Sequence, residues 1–163
     1  MPKRFWMFLP VGLVVVGLAV AAIWTGTKSA HLDLTGKILK VRIIATGENS
    51  TLVVVDFRIT NPSGVPLVVR EVSMKIQPYK ADALDGSEVS KQDVGPTFQA
   101  LPLLGQKYND VLAPPDVIPP GKTLDRMAAA SFDLPQSAIE VRKAVILHIE
   151  DLDGAGFEIT DAK

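Results

Sequence analysis

The side chains of this 163-residue chain that could do chemistry are few and scattered. His31 and His148 are the two histidines, and neither has a second histidine or a carboxylate at metal-ligand spacing on a helix. There is no cysteine, which excludes thiolate metal sites, a disulfide framework and a cysteine nucleophile. Asp151, Asp153 and Gly154 begin like a calcium loop, but the other ligands of such a loop are missing. Asp-Gly between two apolar runs is sufficiently explained as a tight hairpin turn. Nucleophile-elbow, phosphate-loop and His-Glu-x-x-His patterns are all absent. Asp56, Arg58, Arg70 and Glu71 remain as a charge cluster if their strands face each other, either a solvated structural set or a polar docking patch. The expectation is a non-enzyme with no cofactor and no metal. A net charge of −1 with no basic stripe also argues against nucleic acid as a partner.

Two apolar stretches then carry the interaction chemistry. Phe5 to Trp24 holds no charged residue and, as a helix, matches a hydrocarbon core of roughly 30 Å. Lys3 and Arg4 precede it, which favours a cytoplasmic N-terminus and an extracytoplasmic remainder. A cleaved signal peptide is the rival, but its apolar core is shorter, and Trp6 and Trp24 bracket this run as interfacial aromatics do. Gly17 and Ala21 give a small-xxx-small face for a second helix, although both residues are common in any membrane helix. The expected order is a cytoplasmic tail at 1–4, a transmembrane helix at 5–24, a linker at 25–34 and a domain at 35–163.

The second stretch is Pro96 to Pro120, with six of the chain's twelve prolines. Prolines at that density prevent an interior strand or a long helix, and the apolar content argues against disorder. Phe98, Leu101, Leu103, Leu104, Tyr108, Val111 and Leu112 lie within it. They either pack over one end or edge of the domain, or offer a semi-rigid apolar surface to a partner.

The elements that must position these residues read as strands. Leu39, Val41, Ile43 and Ala45 alternate with Lys40 and Arg42, and Val53, Val55, Phe57 and Ile59 alternate with Asp56 and Arg58. The turn at 46–50 joins them as a hairpin. A strand follows from Leu67 to Gln77, where the parity of Arg70 calls for a bulge near Val69. The polar stretch 78–95 reads as a loop with one helical turn near 87–92. Strands resume from Leu124, with a small-residue strand at 127–134, a helical turn at 137–142, a central strand at 144–150 and a last strand through Phe157 and Ile159. The class is all-β, an immunoglobulin- or fibronectin-III-like antiparallel sandwich.

The run from Val55 to Ile76, with Asn61-Pro62 and Val65-Pro66-Leu67 between two strands, resembles the LEA type 2 or WHy-like family. The resemblance implies a fibronectin-III-like domain, often membrane-anchored, that protects under stress or binds lipid or protein surfaces. The functional expectation is a single-pass accessory or scaffold subunit of a bacterial envelope complex, with its domain in the periplasm and other membrane subunits as partners. The alternative is a lipid- or small-molecule-binding or stress-protective module.

Overall fold

The alternating runs become two sheets. In the computed structural model, residues 16–18 and 34–162 are described, and the chain divides into units Met1–His31 and Leu32–Lys163. Residues 16–18 are one exposed helical turn that includes Gly17. The rest of the 5–24 segment, with Ala21, and most of the linker with His31 lie outside the described residues. Among the described residues no helix is long and apolar enough to cross a membrane.

Within the second unit, β1 (Thr35–Gly47) and β2 (Ser50–Thr60) form the expected hairpin. β3 (Leu67–Gln77) is followed by two short strands, β4 (Leu84–Asp85) and β5 (Ser87–Glu88). A helix, α1 (Lys91–Ala100), a 3-10 turn (Pro102–Leu104), β6 (Asp110–Val111) and β7 (Val117–Ile118) come next. β8 (Thr123–Phe132), α2 (Gln136–Glu140), β9 (Ala144–Asp151) and β10 (Gly156–Ala162) complete the chain. One five-stranded sheet runs β1-β2-β8-β5 with β6 parallel to β8; the other runs β10-β9-β3-β4 with β7 beside β3. Both are otherwise antiparallel, and the protein is an all-β sandwich.

The main core lies between the sheets. Val53, Val55, Phe57 and Ile59 of β2 and Ala128, Ala130 and Phe132 of β8 meet Val72, Met74 and Ile76 of β3 and Val145, Leu147 and Ile149 of β9. The bulge in β3 falls between Val69 and Glu71, which turns Arg70 outward and returns Val72 to the core. At one open edge the chain changes sheets. β4 pairs with β3 and β5 with β8, so Gly86 bridges the layers, its N–H donating to Met74 O at 2.9 Å. A Cβ on Gly86 would lie 2.5 Å from Phe132 Cζ, so only glycine lets the strand pass this close.

Three expectations are corrected. The 78–95 segment is not a simple loop, because it holds β4, β5 and the start of α1. Pro96 does not stop that helix: Ser90 caps it by accepting from Asp93 N, and the ring removes only one intrahelical donor. In β1 a register shift between Ile38 and Lys40 leaves Leu39 exposed, and Arg42, expected to face water, is buried.

Candidate functional site

The outward face of the β1-β2-β8 sheet is apolar where it is usually wet. Leu52 and Val54 on β2 and Met127 and Ala129 on β8 point away from the main core. They would expose a contiguous apolar patch if left bare, and the 89–116 segment, which ends before β7 joins the other sheet, covers them. Val94 of α1, Leu104 of the 3-10 turn and Val111 of β6 close a second core there, with Ile44, Val89, Phe98 and Leu101 at its margin. Leu112 N donates to Met127 O and Val89 N to Ala129 O, both at 2.9 Å, which stitches this roof to β8 at two points.

A charged pin fixes the roof. Arg42 Nη2 donates to Asp56 Oδ2 at 2.6 Å, and both side chains are almost fully buried. Arg42 Nη1 donates to Leu104 O at 3.0 Å and Gln106 O at 2.8 Å, while Asn109 Nδ2 donates to Asp56 Oδ1 at 2.9 Å. The guanidinium lies 4.9 Å from the Phe98 ring centre and 5.9 Å from that of Tyr108. Its Nε has no partner, so the pair is not fully satisfied. Further along, Lys91 Nζ reaches Asp116 Oδ1 at 2.8 Å and joins α1 to the far end of the segment. Burial pushes the Asp116 carboxyl up, but the hydrogen bonds from Lys91 and the Ala113 N–H and the charges of Lys91 and Arg126 outweigh it, holding the group below its ordinary value.

Of the contact residues named from sequence, Leu104, Val111 and Leu112 are buried inside the domain, and Phe98 and Leu101 are half-buried. Leu103, 91% exposed, and Tyr108, 66% exposed, face outward from the roof. Gly17 is exposed in its helical turn, and Ala21 is outside the described residues. The charge cluster of Asp56, Arg58, Arg70 and Glu71 does not form, because β2 and β3 lie in different sheets. Asp56 takes the buried Arg42, Arg58 pairs with exposed Asp125 at 2.6 Å, and Arg70 pairs with Glu150 at 3.2 Å. Asp151 is buried and accepts from Val68 N at 2.9 Å, and Gly154 takes the positive φ of the turn, 84°. Asn61 of the Asn-Pro motif is a clasp: its Nδ2 donates to Val65 O and Ile118 O, and its Oδ1 accepts from Ser63 N and Oγ.

The outward face of the other sheet is bare and polar. Ser73, Lys75, Glu150, His148 and Glu158 line an open depression of about 460 Å³, with His148 Nδ1 3.6 Å from Glu158. Between the sheets a gap of about 10 Å³ remains beside Val72, Leu112 and Leu147. Sequence reasoning missed Arg42 and Asn109 as members of the pin. The available signal was the unbroken apolar run Leu52–Val55, which marks a strand covered on both faces.

The fold and the site together define a two-sheet β protein with one roofed and one open face. No family model matches the chain, and no curated protein matches it. Solved structures similar to it include a Bordetella pertussis protein described as ApaA, 14% identical, covering 80% of this chain and 89% of that one at a TM-score of 0.38. A chain from the Iho670 flagellar-like filament is 9% identical, covering 98% of this chain and 97% of that one at a TM-score of 0.33.

Proposed function

We propose that this chain is a non-catalytic, membrane-anchored accessory or scaffold subunit that acts through protein–protein contact. Phe5 to Trp24 is its retained anchor in the cytoplasmic membrane, and the sandwich stands on the periplasmic side. The domain is of the immunoglobulin or fibronectin-III kind, a reading supported by the sheet order β1-β2-β8 against β10-β9-β3-β4. The observation that carries the proposal is a roof pinned to the sheet that still turns Leu103 and Tyr108 to solvent. Apolar groups held on a rigid element lose little entropy when a partner covers them.

The lipid- or small-molecule-binding alternative, drawn from the resemblance to the LEA type 2 family, needs a concave apolar pocket. The gap between the sheets, about 10 Å³, is the size of one water. This favours contact through the surface. The test is native purification of the detergent-extracted full chain, wild type against Leu103→Asp. The expected result is a defined larger species in the wild type that the variant loses while keeping its thermal midpoint. A chain that runs alone in both forms would count against the proposal.

A further inference from the structure

A sheet edge is a template for a further strand, and the two sides of this sandwich treat their edges differently. On one side the edges are broken into β4, β5, β6 and β7, each two residues long, and the chain itself crosses between the layers at Gly86. On the other side both edges are long: β1 has 13 residues and β10 has 7. Among the described residues no backbone group pairs with the outer edge of either strand. Gln136 Oε1 takes one outer N–H of β1, that of Ala45, at 2.9 Å.

These long edges carry opposite charge. β1 holds Lys37, Lys40 and Arg42 and no carboxylate, whereas β10 holds Glu158 and Asp161 and no cation. Arg42 is taken by Asp56, and Asp161 stands 3.7 Å from Arg142. Lys37 and Arg58 both act on Asp125, which leaves that outward patch with a net positive charge. Glu158 faces outward because its neighbour Ile159 is buried, and His148 Nδ1 lies 3.6 Å from it. The edges also run the same way. β1 starts opposite the end of β2, residues 61–66 cross from there to the start of β3, and β10 is parallel to β3 because both are antiparallel to β9. Gly36 of β1 lies against Ile159 of β10, where an added Cβ would come 2.6 Å from Ile159 Cδ1, so the two residues are level.

We propose that a second copy of this chain covers this side, with β10 of each copy adding to β1 of the other as a parallel strand. A two-fold axis along the strands exchanges the two layers and keeps strand direction and level. It continues the β1-β2-β8 sheet of one copy into the β10-β9-β3 sheet of the other, and does so twice, which closes the assembly as a dimer. With Gly36 and Ile159 level, Glu158 of the second copy falls within diagonal reach of Lys37 on the shared outward face. The charges select this pairing over its rivals. β1 on β1 sets Lys37 and Lys40 against their own copies, and β10 on β10 does the same with Glu158 and Asp161.

Light scattering of the purified full chain in detergent reads the number of copies per particle, and the wild type is expected at two. Lys37→Glu and Glu158→Lys should each weaken the dimer about tenfold, since each turns both junctions from attraction to repulsion, while the thermal midpoint stays put. Mixing the two variants in equal amounts should restore the two-copy particle, because each junction then joins an acidic edge to a basic one. Leu103→Asp should leave the dimer intact. A wild type at any other copy number, a dimer that either reversal leaves unchanged, or single copies that mixing does not rejoin overturns the proposal. A dimer lost with Leu103→Asp also overturns it and assigns the contact to the roof.

Discussion

The two outward faces of this sandwich have opposite fates. On β2 and β8 the outward positions are Leu52, Val54, Met127 and Ala129, and a roof of helix, turn and short strand is built over them. On β3 and β9 the outward positions include Ser73, Lys75 and His148, and they are left to water. The same backbone scaffold therefore supports a three-layer half and a two-layer half. The deciding quantity is the chemistry of alternate residues along two central strands. Where outward residues are apolar, covering them is favourable at about 25 cal/mol per Å² and can hold a proline-rich segment in place. Burying Arg42 with Asp56 under that roof adds little net stability, but it fixes where the roof sits.

The largest blow to the roofed half is Asp56→Ala, which strands the Arg42 charge without a partner. It should cost about 3–5 kcal/mol in a urea titration, whereas Arg42→Met with Asp56→Leu should recover most of the loss. Leu147→Ala in the main core should cost about 4 kcal/mol, and Leu104→Ala in the roof nearer about 2 kcal/mol, because the roof can collapse onto the hole. Equal costs would mean that the two cores are equally stiff. Gly86→Val tests the edge where the chain crosses between sheets, and the clash with Phe132 should cost about 1–3 kcal/mol.

The smallest effect is a gain. Glu88 sits on β5, and its carboxyl is raised first by burial and then by the charge of Glu71. A raised folded-state value means the protonated form is favoured in the fold, so its contribution is present at acid pH and lost as pH rises through that value. Glu88→Gln should therefore raise the thermal midpoint slightly at pH 7, with the advantage gone below about pH 4, where the carboxyl is protonated in both states.

Much of the strand framework was legible in the sequence. The 46–50 hairpin turn, the bulge at Arg70, the Asp153-Gly154 turn and the central position of strand 144–150 follow from alternation and turn chemistry, which act locally. The roofed half was read less well. Lys40 and Arg42 alternate with apolar residues as a wet face would, and no local rule says that a segment some sixty residues later will cover Arg42. Pro96 argued against a helix, yet the Ser90 cap and the burial of Val94 outweigh one missing donor. Of the contact residues chosen by their apolar character, several were apolar because they fill the second core, and composition alone does not separate these from Leu103 and Tyr108.

Amide hydrogen exchange on the full chain tests most directly whether the roof is a fixed layer able to present a rigid surface. The N–H groups of Val89, Val94, Leu104 and Leu112 should be protected to within about 1–2 kcal/mol of those in β2 and β8, opening only when the sheet opens. Exchange of these amides orders of magnitude faster than β2, with the sheets still protected, would show a loose flap and contradict the account.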